Sequence, residues 1–115
     1  MNYFSLNELT CKCGCGSCDM DSVFMQKANL AREIANIPFI VNSGFRCVKH
    51  NKDIGSTSDN HPLGVAMDVQ AITSRQRFII INSLIKAGFT RIGIHKKFIH
   101  FDNNINNASD VLWLY

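Results

Sequence analysis

Two segments of this chain alternate in polarity so regularly that they constrain the fold before anything else does. In Gly64-Val65-Ala66-Met67-Asp68-Val69, an extended backbone puts Val65, Met67 and Val69 on one side and Gly64, Ala66 and Asp68 on the other. In Phe98-Ile99-His100-Phe101-Asp102, Ile99 and Phe101 share one side while Phe98, His100 and Asp102 share the opposite one. A period of two predicts half-buried strands. Each needs strand neighbours for its backbone groups and an apolar layer against its hydrophobic side.

Helical periodicity supplies that layer. Asp21 or Ser22 can cap a helix running to about Asn36, whose apolar stripe is Phe24, Ala28, Ala31 and Ala35 with Leu30 and Ile34 beside them. Gln26, Asn29 and Glu33 fall on its wet side. A second helix is expected from Ser74, as its cap, to Ala87, with Phe78, Ile81, Leu84 and Ile85 facing inward and Gly88 as its stop. Phe39-Ile40-Val41, after Pro38, reads as a short buried strand. Residues 90–95 and 98–103 read as a hairpin turning at His95-Lys96-Lys97. Residues 1–21 read as an irregular opening segment, and residues 42–63 as a polar, turn-rich stretch of the kind that carries function. Val111–Tyr115 is expected to tuck back on the body, with Trp113 and the Phe78–Ile81 run in the core. The sum is an α+β fold, a small antiparallel sheet with flanking helices, in a single domain over residues 1–115.

Composition narrows the partners. At 115 residues the chain can bury one core, and its 46% hydrophobic and 18% charged content is ordinary for a globular protein. The net charge of +3 is spread out, with Lys96-Lys97 the only adjacent basic pair, which argues against a nucleic-acid partner. An anionic polymer such as a cell wall suits the mild basic balance. No run approaches the ~20 apolar residues of a membrane span. Met1–Glu8 lacks a basic start and a long apolar run, so synthesis in the cytosol without a signal peptide is expected, as a monomer.

The polar sides of the two strands carry the chemistry. Gly64 and Ala66 are small and leave room beside Asp68 for a metal ion and a substrate; the plainer alternative is a half-exposed strand with a solvated carboxylate. His100 and Asp102 stand side by side, either as a site or as a structural hydrogen-bonded pair. His61, between a polar loop and Pro62, is a third candidate. Two imidazoles and a carboxylate are a proper ligand set for Zn²⁺, with a fourth position open to water. The cysteines leave several readings open. Cys11, Cys13, Cys15 and Cys18 crowd into eight residues and Cys47 stands alone. Cys15-x-x-Cys18 with Cys11 and Cys13 could hold a structural zinc, one of the cluster could pair with Cys47, or all could be packing residues or free thiols.

Three separated motifs then carry a resemblance. Ser43-Gly44-Phe45-Arg46-Cys47-x-x-His50-Asn51 with Gly55-Ser56, His61-x-x-Gly64-x-Ala66-x-Asp68, and Phe98-Ile99-His100-Phe101-Asp102 resemble the zinc D-alanyl-D-alanine carboxypeptidase family. Its members are fold relatives of the hedgehog signalling domain and of several phage endolysins. Short single-domain members also open with a segment like Phe4-Ser5-x-x-Glu8 and a cluster like Cys11–Gly16. The resemblance implies a zinc peptidase cutting peptidoglycan stem peptides, as a carboxypeptidase, an endopeptidase or an endolysin taking part in cell wall degradation. It implies His61, Asp68 and His100 as the metal ligands and Arg46 as the arginine facing the site, fit for an oxyanion or a terminal carboxylate. His50 is expected to brace its loop. Several members carry a catalytic carboxylate three residues before the last histidine, where this chain has Lys97. Asp102 is the best substitute as general base, or else it orients a ligand imidazole. His95 is a candidate proton donor or transition-state stabiliser. The Lys97 departure also leaves room for a zinc-containing peptidoglycan-binding module with little turnover.

Overall fold

Strand pairing decides where every functional side chain goes. In the computed structural model, which describes residues 2–115, one sheet is built from β1 (Val41–Ser43), β2 (Ala66–Gln70), β3 (Arg91–Ile94), β4 (Phe98–Asp102) and β5 (Val111–Leu114). Their spatial order is β1-β2-β4-β3-β5. Every pairing is antiparallel except β3 with β5, which is parallel. The expected antiparallel sheet is therefore mostly so, and the segment expected to tuck back joins it as an edge strand. The single-domain expectation over 1–115 also takes in Met1, which lies outside the described residues.

Register gives the sheet two unlike faces. Across β2 and β4, Met67 pairs with Phe101 and Val69 with Ile99; across β3 and β4, Ile92 pairs with Phe101. All of these are buried. The alternate positions pair Asp68 with His100, Gly93 with His100 and Arg91 with Asp102, on the opposite face.

The helices α2 (Ser22–Ala35) and α4 (Ser74–Lys86) pack side by side and share one core cluster with the apolar face. Phe24 of α2 stacks on Phe101 at 5.6 Å between centroids and meets Phe89 edge-on at 5.5 Å, so three rings join helix to sheet. The Asp21 carboxylate caps α2 by accepting from the Phe24 N–H at 2.9 Å, and Asn36, in the left-handed region at φ 55°, ends it. Phe4-Ser5-x-x-Glu8 is a capping box that starts the short helix α1 (Leu6–Leu9), with Ser5 and Glu8 each accepting from the other's backbone N–H.

Several expectations shift. The cap of α4 is Thr73 rather than Ser74, because Thr73 and Gln76 form the reciprocal box. Its inward face is Ile80, Ser83 and Leu84, with Ala87 buried at its C-cap, while Phe78 and Ile85 are exposed. Ser83 can be buried because its hydroxyl donates to the Ile80 carbonyl at 2.7 Å, and this rotates the buried stripe away from the most hydrophobic positions. The strand expected at 39–41 begins at Val41; Phe39 is buried but Ile40 is exposed. Leu30 and Ile34 also lie at the surface. Within 42–63 stands a further helix, α3 (Val48–Asp53), which has no apolar stripe and buries only Asn51.

Candidate metal centre and substrate pocket

The polar face of β2 and β4 sets Asp68 opposite His100. His61 reaches the same place from hydrogen-bonded turns just before β2, where Gly64 N–H donates to the His61 carbonyl and Val65 N–H to that of Asn60. One ligating atom from each of His61, Asp68 and His100 lies within 4.8 Å of the others. His61 Nε2 is 3.4 Å from Asp68 Oδ2, and His100 Nδ1 is 2.8 Å from Asp68 Oδ1. Ligands on a tetrahedral zinc at about 2.0–2.2 Å stand about 3.4 Å apart, so this donor set fits the ion with small adjustments.

The remaining ring nitrogens are fixed by acceptors. His61 Nδ1 donates to the Gly44 carbonyl at 2.7 Å, which turns Nε2 toward Asp68. His100 Nε2 donates to Asp102 Oδ2 at 2.7 Å, so Nδ1 is the atom turned to the centre. Burial disfavours a charged His100, but the hydrogen bonds to Asp102 and Asp68 outweigh it and raise its pKa to about 9. Burial likewise works against an ionised Asp68, yet hydrogen bonds from His100 and His61 hold its carboxyl well below the usual range. The proton between His100 Nδ1 and Asp68 is the one a divalent cation would replace.

These side chains form the floor of a cavity of about 750 Å³. Arg46 lines it, with Nη1 donating to Asn51 Oδ1 at 2.9 Å and Nη2 to Ser43 Oγ at 3.0 Å, and Nη2 lies 3.8 Å from Asp68 Oδ2. Its charge is thus held in place by neutral partners, with the Asp68 carboxylate at the outer limit of an ion pair. Asp59, Arg91, Trp113 and Tyr115 complete the walls that matter here.

Other site expectations land elsewhere. Asp102 is on the side of His100, as alternation requires, but it is fully buried and does not line the cavity. It accepts from His100 Nε2, from Arg91 Nε at 2.7 Å, from Asn60 Nδ2 at 3.2 Å and from the Asn104 N–H at 3.2 Å. Those four donors saturate it and close it off from substrate. His95 does not line the cavity either; its ring stacks on Phe98 at 4.4 Å and meets Tyr115 edge-on. Lys97 is exposed at the hairpin turn. Gly64 and Ala66 were expected to make room for metal and substrate, yet neither lines the cavity. Gly64 instead admits the backbone of Asp19, whose carbonyl oxygen would lie 2.1 Å from an added Cβ. Ala66 is buried opposite Asp102.

The chain matches the peptidase M15 family over residues 2–102. It belongs to that family. No curated protein matches it. As an M15 domain it is assigned to the peptidases, a class of hydrolases, and it carries residue groups able to hold a metal ion. The match takes in His61, Asp68, His100, Arg46 and Asp102, and it stops short of β5. Two walls of the M15 pocket, Trp113 and Tyr115, therefore come from beyond the family match. Trp113, expected in the core, is half-buried, packs 5.6 Å from the His100 ring and carries the Arg91 guanidinium over its face at 5.2 Å. Arg91 went unremarked in the sequence, and Asp59 and Asn60 stood out only as part of the functional 42–63 stretch. Alternation applied to Arg91-Ile92-Gly93-Ile94 would have put Arg91 and Gly93 on the His100 side. Asp59 and Asn60 lie in turns that show no such period.

Proposed function

We propose that this M15 domain is a zinc metallopeptidase that hydrolyses amide bonds in peptidoglycan stem peptides, and so acts on the bacterial cell wall. The observation that carries the reading is the convergence of His61 Nε2, Asp68 and His100 Nδ1 on a cavity floor beside a pinned arginine. When bound there, zinc would polarise a scissile carbonyl and acidify water. The chain's own residues do the rest. Gly44 and Asp102 orient the two imidazoles through their outer ring nitrogens, which keeps the inner nitrogens aimed and basic. Arg46 retains N–H groups beyond those given to Ser43 and Asn51, and these meet the developing oxyanion or a terminal carboxylate.

Proton transfer needs a group open to the cavity. Asp68 and Asp59 are the carboxylates that line it among the described residues. With Asp68 as ligand, Asp59 is the carboxylate left to act as base. Its Oδ1 accepts from Asn104 Nδ2 at 3.1 Å, and its side chain is exposed. The exposed position of Lys97, away from the cavity, favours a second reading: a zinc-containing peptidoglycan-binding module with little turnover.

Digestion of muropeptides followed by mass spectrometry separates the two. Release of a terminal D-alanine marks a carboxypeptidase, and separation of cross-linked dimers marks an endopeptidase or lysin. Either product should disappear with chelator and in His61→Ala. An unchanged digest from protein that still pulls down with sacculi would support the binding module instead.

A further inference from the structure

Outside the pocket, four sulfurs from two distant parts of the chain converge. The Sγ atoms of Cys11, Cys13, Cys15 and Cys47 all lie within 4.8 Å of one another. Cys11 and Cys13 are 3.4 Å apart, and Cys13 and Cys47 are 3.7 Å apart. A disulfide would need about 2.05 Å. Sulfurs bound at about 2.3 Å around a tetrahedral zinc stand about 3.8 Å apart, and the observed separations are close to that.

The surroundings suit thiolates at three of the four. Cys11 Sγ accepts from the Cys47 N–H at 3.3 Å, Cys15 Sγ from the Ser17 N–H at 3.5 Å, and Cys47 Sγ from the His50 N–H at 3.3 Å. Backbone donors aimed at sulfur stabilise its anionic form. Gly14 and Gly16 take positive φ, 86° and 78°, and the Cys11 N–H closes on the Ser17 carbonyl at 2.9 Å. That curl lets three cysteines so near in sequence present their sulfurs to one point. The fourth sulfur is that of Cys47, the N-cap of α3, and Cys18 is not in the group. A ligand from a distant segment relieves the short loops that a site made from Cys11, Cys13, Cys15 and Cys18 alone would impose.

We propose that Cys11, Cys13, Cys15 and Cys47 bind a structural zinc ion that fastens the N-terminal segment to the loop carrying Arg46. Four protein sulfurs leave no open position, so this ion is structural and not hydrolytic. The join it makes is already drawn tight by backbone. The Phe45 N–H donates to the Leu9 carbonyl at 2.9 Å, and a Cβ on Gly44 would stand 3.0 Å from the Leu9 backbone. Gly44 in turn supports His61, and Arg46 adjoins Cys47, so the clamp lies directly behind the pocket.

The test uses the full chain carrying His61→Ala and His100→Ala, purified under reducing conditions, so that the pocket site is disabled. One zinc per chain should remain by metal analysis. It should be lost on adding Cys13→Ser and kept on adding Cys18→Ser. Replacing zinc with cobalt in the parent double variant should give sulfur-to-cobalt charge-transfer absorption, a readout that survives even if Cys13→Ser does not fold. A folded parent without zinc and with five freely titrating thiols would overturn the proposal. So would a Cys13–Cys47 disulfide found by mass spectrometry, or a cobalt spectrum without sulfur bands. Because two of the three pocket ligands are absent, none of these results bears on the hydrolytic zinc.

Discussion

In the proposed mechanism Asp102 positions His100 and Asp59 takes the proton. Asp102 has no exposed surface and four donors, so its replacement acts through His100 and not on substrate. Asp102→Asn should weaken zinc binding by about 10–100-fold, with turnover restored at saturating zinc. Asp59→Asn should keep zinc and lose turnover by ~10²–10⁴-fold, the scale of general-base catalysis. Zinc titration of hydrolysis in both variants checks this, and the reverse pattern would return the base to Asp102. Arg46→Lys keeps a charge but loses the fork held by Ser43 and Asn51. Its kcat/KM should fall by about 10²-fold at unchanged Tm, and wild-type turnover would exclude a bidentate role. At this scale the approach of Asp68 to His100 was legible from strand alternation, and that of His61 from its motif. The burial of Asp102 was not. Alternation gives the side of a sheet, whereas Asn60, Arg91 and Asn104, which enclose Asp102, come from separate loops and a neighbouring strand.

At the scale of elements, β5 is the part least visible in the sequence and most consequential for the pocket. It returns beside β3 in parallel after a polar stretch that carries no periodic signal, and its alternation of exposed and half-buried residues is that of an edge. Gly93 of β3 makes room for it. A Cβ there would lie 2.5 Å from Trp113 Nε1, so Gly93→Ala must push the indole off its seat beside His100. Overpacking of this kind costs about 1–3 kcal/mol. Trp113 is the only tryptophan, so intrinsic fluorescence reports this wall alone. Gly93→Ala should shift its emission, lower Tm and raise KM for stem peptide. Unchanged emission would mean that the close approach of Gly93 and Trp113 is absent in solution. The helices α2 and α4 were legible as elements, but the phase of α4 was not, since a buried serine bonded to its own turn reads as polar.

The whole molecule is a sheet with a division of labour between its faces. One face carries Met67, Val69, Ile92, Ile99 and Phe101 under two helices; the other carries Asp68, His100, Asp102 and Arg91 under loops. A period of two forces that division, which is why the α+β architecture could be read before any contact was known. The rigid helical layer leaves the opposite face free to hold polar groups at fixed register, and the loops from 42–63 then bring Arg46, Asp59 and His61 over it. The proposed hydrolysis rests on a zinc ion at that junction. Anomalous diffraction at the zinc edge, from crystals grown with zinc, tests it most directly. The predicted result is a peak about 2.0–2.2 Å from His61 Nε2, His100 Nδ1 and an Asp68 oxygen. Zinc density confined to the cysteine cluster, with none between the two imidazoles, would contradict it.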